Sequence, residues 1–250
     1  MLKIVLFATL SFTLAFAFPN REQRIFNGRN ALPGEVPYIA SLRFWGTTHH
    51  FAGATLLNNR WVVTVAHPLI GRAGNSINIV VGTNMLNAGV VNRRSSAIRI
   101  HELFDQVTKR NDIACIQSAT IITFTQFITP IPISPSFIEN GIIGLISGWG
   151  ATENSNGADS NSLRVANVET VPCNNNNDFT FTQHHMCAGS NLIPSPPIIA
   201  FLCTTDIGGP MVFNDQLIGI AAWIPVRCGS VADGYNRASS YRTWILGVIS

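Results

Sequence analysis

Short runs of β-branched and aromatic residues, separated by Gly, Asn and Pro, set the pattern of this sequence. From Val36 onward no long stretch repeats its apolar residues at the 3.6-residue period of a helix. Many short strands at regular spacing are typical of an all-β barrel or sandwich. Near the end, Trp244, Ile245 and Val248 recur at helical spacing and predict a short amphipathic helix over residues 241–248. The predicted strands are 38–44, 60–66, 76–81, 97–100, 113–118, 142–148, 162–170, 185–188, 210–212 and 217–223.

The first 17 residues have the pattern of a secretory signal peptide. Lys3 precedes an apolar run that ends in the small-x-small triplet Ala15-Phe16-Ala17. A buried N-terminal strand is the alternative, but one lysine before an uninterrupted apolar block is an export pattern. No later stretch reaches the roughly 18 uninterrupted apolar residues of a transmembrane helix. We therefore exclude residues 1–17 from the fold and expect a secreted, extracellular protein with no membrane association.

The composition predicts a large core and a weakly charged surface, because 46% of the residues are hydrophobic and only 12% are charged. The net charge of +3 is too small and too scattered to indicate a nucleic-acid partner. Two basic pairs, Arg93-Arg94 and Lys109-Arg110, are expected to be solvated loops rather than interaction patches.

Five cysteines in an exported chain predict a disulfide framework with one thiol left over. Sequence alone allows several pairings. Cys115 follows Asp112-Ile113-Ala114 in a predicted buried strand, so we expect it to be a packed small hydrophobe. The others are Cys173, Cys187, Cys203 and Cys228.

Three blocks of residues point to one family. Together and in this order they resemble the Trp-Val-x-Thr-Ala-Ala-His, Asn-Asp-Ile-Ala and Gly-Asp-Ser-Gly-Gly-Pro blocks of the chymotrypsin/trypsin family of serine peptidases. Further similar landmarks at 147–150, 186–189 and 237–245 extend the resemblance over essentially the whole chain after residue 24. The blocks in this chain are Trp61-Val62-Val63-Thr64-Val65-Ala66-His67, Asn111-Asp112-Ile113-Ala114 and Cys203-Thr204-Thr205-Asp206-Ile207-Gly208-Gly209-Pro210-Met211.

The resemblance places His67 as the general base, Asp112 as the residue that orients it, and Ile207 where the family has its attacking serine. Isoleucine has no hydroxyl to deprotonate, so it cannot attack a carbonyl. Loss of the nucleophile costs a serine peptidase about 10⁶-fold in turnover. The oxyanion hole would use the backbone N–H groups of Thr205, where the family has glycine, and Ile207. Two β-branched side chains are expected to crowd that approach.

The family also implies a fold, an activation site and two disulfides. The expected fold is all-β: two six-stranded antiparallel Greek-key barrels, about 25–130 and about 131–250, followed by a short C-terminal helix. Residues 18–24 would be an activation propeptide. Cleavage after Arg24 would free Ile25, whose ammonium group pairs with Asp206 in the family's zymogen switch. The implied disulfides are Cys173–Cys187 and Cys203–Cys228.

Departures from the family gather around His67 and the specificity pocket. Pro68 and Ala52 stand where the family has two bridged cysteines. We expect His67 and Asp112 still to form their hydrogen bond, and Pro68 to shift His67 out of catalytic register. Six positions before Ile207 lies Phe201, where the family sets primary specificity. Ile224 and Asp233 take the place of pocket-wall glycines, so we expect a pocket filled by side chains.

Three functional hypotheses follow. The first is a secreted, non-catalytic, monomeric homologue that binds a peptidase, an inhibitor or a surface ligand, because fold and chemistry are separable. The second is a residual serine-type endopeptidase that uses Thr204 or Thr205 as nucleophile, although neither occupies the nucleophile position. The third is an active peptidase in which Ile207 is a single variant, and the separate changes at Ala52, Pro68 and Phe201 argue against it. No cofactor or metal is expected.

Overall fold

The computed structural model describes residues 28–88, 91–150, 159–174, 179–189, 202–225 and 231–250. Within these ranges there are thirteen strands, two short 3₁₀ helices at His67–Leu69 and Thr204–Asp206, and one C-terminal helix, α1, at Ala238–Ile249. The strands are β1 Arg29–Asn30, β2 Ile39–Phe44, β3 His50–Leu56, β4 Trp61–Thr64, β5 Ile77–Val81, β6 Val91–Ile100, β7 Ala114–Ser118, β8 Ile143–Gly148, β9 Arg164–Val171, β10 His185–Ala188, β11 Pro210–Phe213, β12 Gln216–Trp223 and β13 Asp233–Arg237.

The strands form two antiparallel barrels, as the resemblance implied. Barrel one is closed in the order β2-β3-β4-β7-β6-β5. Barrel two runs β8-β9-β10-β13-β12-β11 and closes where β8 pairs with both β9 and β11. Because each sheet closes on itself, the described strands leave no long unpaired edge. The two-residue strand β1 pairs with β9. The predicted fold class is therefore confirmed.

The core has one cluster inside each barrel, one between the barrels and a fourth around Trp149. The cluster between the barrels combines Val63 and Ile113 from barrel one with Leu217 and Ile220 from barrel two. The helix α1 covers this cluster with Tyr241 and Ile245, which are spaced four residues apart on one helical face. The two barrels therefore share an apolar interface.

The predicted elements agree with the structure except in three places. Three strands, β1, β3 and β13, were not predicted. In the other two places an element begins earlier than predicted: β6 begins at Val91 rather than at residue 97, and α1 begins at Ala238 rather than at residue 241. As a result, Arg93 and Arg94 belong to a strand and not to a loop. The part of the chain that the structure describes contains no helix with the length and apolar character needed to cross a bilayer.

The predicted signal peptide, the activation segment and Ile25 lie outside the described residues. Phe201 and Cys228 also lie outside them.

Candidate active site

His67 and Asp112 are brought together by the pairing of β4 with β7. Thr64, the last residue of β4, pairs with Ala114, the first residue of β7, so the segments just beyond these residues lie side by side. The Nδ1 atom of His67 lies 2.7 Å from Oδ2 of Asp112. The backbone N–H groups of Ala66 and His67 both donate to Oδ1 of Asp112 at 2.8 Å. One carboxylate therefore holds both the ring and the backbone of the histidine.

The surroundings of this pair leave one ring nitrogen available. Asp112 is 1% exposed, whereas the side chain of His67 is 26% exposed. The Nδ1–H of His67 donates to the carboxylate, so Nε2 is left with a lone pair in the neutral ring. No described residue is hydrogen bonded to Nε2. The arrangement can accept a proton at Nε2 from a group placed beside it.

Pro68 does not separate His67 from Asp112, and the hydrogen bond that we expected between them is formed. It lies at the start of the 3₁₀ helix His67–Leu69, where a missing N–H breaks no helical hydrogen bond. The N–H of Leu69 still donates to the carbonyl of Ala66 at 2.8 Å. The proline is accommodated because the Asp112 carboxylate anchors the preceding two N–H groups.

The turn that carries Ile207 is fixed between the two barrels. The carbonyl of Ile207 accepts a hydrogen bond from Gly53 N–H at 2.8 Å, and Gly208 N–H donates to the carbonyl of Ala221 at 2.7 Å. Gly208 has a φ of +80°, and a Cβ there would lie 2.1 Å from Oγ1 of Thr64 and 2.3 Å from the Gly53 carbonyl oxygen. The turn thus requires glycine after Ile207 for both conformation and space.

The side chain of Ile207 is half-buried and packs against two apolar clusters. It contacts the core of barrel one and the cluster between the barrels. A sec-butyl group at this position therefore contributes packing where the family has a hydroxyl.

The oxyanion-hole positions lie at the 3₁₀ helix Thr204–Asp206, with Thr205 inside it and Ile207 directly after it. The hydroxyl of Thr205 donates to Oδ1 of Asp159 at 2.6 Å. The carbonyl of Thr205 lies 3.3 Å from Nε2 of His50. Because a carbonyl can only accept, His50 carries its proton on Nε2.

His50 extends this contact into barrel one. Its Nδ1 atom, an acceptor in this tautomer, lies 2.9 Å from the hydroxyl of Ser41. Burial lowers the pKa of His50 to about 4, so the ring is neutral at pH 7. The sequence analysis missed His50, Ser41 and Asp159. The only signal for His50 is its place directly before Phe51-Ala52-Gly53-Ala54, and Asp159 has no motif around it.

Asp206 is buried beneath the same turn. One carboxylate oxygen accepts from Gly150 N–H at 2.6 Å and the other accepts from Cys203 N–H at 3.0 Å. A Cβ on Gly148 would lie 1.9 Å from Oδ1, and one on Gly150 would lie 2.2 Å from Oδ2. Burial, with a smaller contribution from Asp159, raises the pKa of Asp206 to about 6 in spite of these N–H donors.

Of the three predicted pocket positions, the structure describes two. Ile224 is half-buried against the core of barrel two. Asp233 is fully buried at the start of β13, and its Oδ2 accepts from the N–H of Leu202 at 2.7 Å. Its Oδ1 has no hydrogen-bond partner among the described residues. Burial, with a smaller contribution from Asp206, holds the pKa of Asp233 well above its usual range.

The disulfide between Cys173 and Cys187 is present, with Cα atoms 5.2 Å apart, as the resemblance implied. Cys203 is also disulfide-bonded, and its expected partner, Cys228, lies outside the described residues. Cys115 is a free, buried thiol, and burial raises its pKa to about 12. A thiol in that state is a packing group and not a nucleophile. No group of three or more His, Cys, Asp or Glu side chains in the described ranges could hold a metal ion.

Truncating Ile207 is expected to destabilise the protein. The Ile207→Ala variant should lower the free energy of unfolding by about 1 to 2 kcal/mol, less than a fully buried isoleucine, because the side chain is half-buried between two clusters. Ile143→Ala is the matched control, since Ile143 is 63% exposed and should change stability by less than about 0.5 kcal/mol. Urea denaturation measures both, and equal effects would contradict a packing role for Ile207.

Comparison with known proteins agrees with this geometry. The trypsin family model matches residues 25–245. The chain is 34% identical to "Serine protease SP24D" from Anopheles gambiae, over 89% of this chain and 80% of the relative. It is 32% identical to "Trypsin Blo t 3" from Blomia tropicalis, over 90% and 86%, and 29% identical to "Trypsin, alkaline C" from Manduca sexta, over 94% and 95%. The chain therefore belongs to the trypsin family of serine peptidases.

Proposed function

We propose that this chain is a secreted, non-catalytic member of its family that acts by binding other proteins. The observation that carries the proposal is the isoleucine at position 207, where the family has its nucleophile. Its side chain packs into two apolar clusters, and no hydroxyl or thiol replaces the lost serine at that position. A chain without a nucleophile can still present the surface of the fold to a partner.

The parts around position 207 are consistent with loss of the nucleophile alone. The hydrogen bond between His67 and Asp112 is made, and the turn after Ile207 is held by both barrels. Secretion is part of the proposal because residues 1–17 have the export pattern and two of the similar proteins are named as trypsins. A peptidase, a peptidase inhibitor or a surface ligand is the class of partner that such a homologue would bind.

A residual serine-type endopeptidase remains the second candidate, because the relatives carry the names serine protease and trypsin. It would need Thr204 or Thr205 to attack the substrate. The hydroxyl of Thr205 is bonded to Asp159, and no described hydrogen bond joins it to His67. This contact disfavours Thr205 as a nucleophile, because its proton would have to pass to His67 in the attack.

Labelling with a fluorophosphonate separates the two candidates. The probe reacts with activated hydroxyl groups, and the chain is produced so that it begins at Ile25. We expect no covalent adduct on this chain under conditions that label an active trypsin completely. An adduct that disappears in the Thr205→Val variant would establish the hydrolase instead.

For the binding half of the proposal, we expect a complex with an extracellular protein that survives gel filtration. Repeated recovery of the free chain alone would contradict it.

A further inference from the structure

Barrel one is built from a stretch without acidic residues. Between Val36 and His101 the sequence contains six arginines and no Asp, Glu or Lys. This stretch includes strands β2 to β6. The net charge of +3 for the whole chain conceals this asymmetry, because the acidic residues all lie before or after the stretch. Any carboxylate that neutralises these arginines locally must come from another part of the chain or from a partner.

Two of these arginines lie over aromatic rings at one end of barrel one. The guanidinium of Arg72 is 4.4 Å from the ring centroid of Phe44 and 5.0 Å from that of Phe51. The guanidinium of Arg94 is 4.5 Å from the ring of Trp45, the residue that follows Phe44. The ring of Phe44 also stacks on Phe51 at 4.7 Å and on His49 at 5.4 Å. We name this surface the arginine–aromatic patch, which consists of Phe44, Trp45, His49, Phe51, Arg72 and Arg94.

The guanidinium groups of the patch retain hydrogen-bonding capacity. In each arginine only Nε is bonded, to the carbonyl of Pro68 in Arg72 and of Asn75 in Arg94. The terminal nitrogens of both side chains have no hydrogen-bond or ion-pair partner among the described residues. Each therefore presents a fixed, ring-stacked fork that can bind a carboxylate.

Trp45 and His49 are open to solvent in this patch, whereas Phe44 and Phe51 are half-buried. Trp45 is 49% exposed, although tryptophan is among the most buried residues on average. Exposed tryptophan and arginine side chains held in place by stacking are typical of the centre of a protein–protein interface. The ring–guanidinium contacts fix these side chains before a partner arrives, so less conformational entropy is lost on binding.

We propose that the arginine–aromatic patch is a docking surface for an acidic protein segment in which carboxylates alternate with apolar side chains. The carboxylates pair with Arg72 and Arg94, and the apolar side chains cover Trp45 and Phe44. A sulfated polysaccharide fits less well, because it needs several free cations in a row. Only two are offered here, since Arg43 is 5% exposed and Arg93 is bonded to backbone carbonyls.

The patch adjoins the candidate active site. Arg72 lies five positions after His67 on the same connection, and Phe51 lies on β3 two residues before Gly53, which holds the carbonyl of Ile207. An acidic segment bound here would therefore run beside the site. The inference rests on the binding half of the proposed function, for which it names the partner's chemistry.

The test is fluorescence anisotropy with a labelled ten-residue peptide of alternating glutamate and phenylalanine. We expect saturable binding that weakens as NaCl is raised from 50 to 300 mM, because the paired charges are exposed. The Arg72→Gln/Arg94→Gln double variant and the Trp45→Ala variant should each raise Kd by about tenfold or more. A peptide with serine in place of phenylalanine should also bind at least several-fold more weakly.

Arg99→Gln is the matched control, because Arg99 is an exposed arginine of the same acid-free stretch that is not part of the patch. It should leave Kd unchanged within about twofold. If Arg99→Gln raises Kd as much as the double variant does, the binding depends only on the overall positive charge, and the proposal is overturned. If heparin displaces the peptide and Trp45→Ala leaves Kd unchanged, the surface binds a polysaccharide, and the proposal is also overturned. If a native complex forms equally well with the double variant, the arginine–aromatic patch is not its docking surface, but the proposed function is not contradicted.

Discussion

Placing serine at position 207 should raise the esterase activity of this chain. In the Ile207→Ser/Thr205→Gly variant we expect acylation by p-nitrophenyl acetate to rise by at least on the order of 10³-fold over the unchanged chain. The reason is that the base and its orienting group are already in place, with His67 and Asp112 2.7 Å apart and Nε2 of the histidine free of described partners. Loss of the serine alone accounts for about 10⁶-fold in a serine peptidase, so even partial recovery is measurable.

The glycine at position 205 is part of this design for two reasons. It removes a branched side chain beside the two backbone N–H groups that would bind the oxyanion, and it releases Asp159 from the Thr205 hydroxyl. We expect the single Ile207→Ser variant to be weaker than the double variant by about tenfold or more, which is a modest part of what one oxyanion donor contributes. The ester carries no side chain that needs a specificity pocket, so the result does not depend on Phe201, Ile224 or Asp233.

Two controls identify the source of the activity. Ile207→Ala opens the same space without supplying a hydroxyl and should remain as inactive as the original chain. Adding His67→Ala to the double variant should abolish the gain, because serine would then lack its base. A folded double variant that stays silent would mean that position 207 and Nε2 of His67 are not within reach of each other. Activity that survives His67→Ala would exclude the proposed dyad.

Strands could be predicted from the sequence where local composition favours them, and were missed where it does not. Several strands, such as β4 and β5, are rich in β-branched residues and lie next to turn residues. Strand β3 contains Ala52, Gly53 and Ala54 instead, which have low intrinsic strand preference. These small residues are needed because Gly53 packs against Gly209, where a Cβ would lie 3.0 Å from its Cα. A strand set by a contact 156 positions away has no local signal.

The same distinction applies to the site. His67, Asp112 and Ile207 could be found because each lies in a contiguous block of recognisable residues. The contacts of His50 with Thr205 and of Thr205 with Asp159 join segments that are 155 and 46 positions apart. Side-chain partners of this kind depend on how the barrels pack, and composition does not reveal them. The hydrogen bond between His67 and Asp112 was expected from these blocks, whereas the contacts of Asp112 with the two backbone N–H groups before Pro68 were not.

Cleavage after Arg24 is expected to stabilise the protein at neutral pH through Asp206. In the chain as described, the Asp206 pKa of about 6 exceeds the value of about 3.9 for an unfolded aspartate. The folded state thus holds a proton that the unfolded state releases. The contribution of this group to stability is complete below about pH 4 and is lost as the pH rises through about 6. At pH 7 the loss amounts to about 3 kcal/mol, an order-of-magnitude figure.

If a new ammonium group on Ile25 pairs with Asp206, the pH dependence of the contribution of Asp206 to stability is reversed. Such a pair lowers the carboxylate pKa below its unfolded value, so the group then contributes stability above about pH 4. We therefore expect the cut chain to be more stable than the uncut chain by at least about 3 kcal/mol at pH 7, roughly 100-fold in the unfolding equilibrium. The difference should shrink as the pH falls below about 4 and vanish below the pKa of the paired carboxyl, where Asp206 is protonated in both forms. Guanidinium denaturation at a series of pH values measures it.

Asp206→Asn removes the titrating group and should make cleavage nearly neutral for stability at every pH. Asp215→Asn is the matched control, because Asp215 is exposed and its loss should leave the full effect of cleavage in place. Asp233 also has a raised pKa and stays in both variants, so the difference between the two variants isolates Asp206. A cleavage effect that persists in Asp206→Asn would mean that Ile25 docks elsewhere. No effect of cleavage in the original chain would mean that the family's activation pair was lost together with its nucleophile.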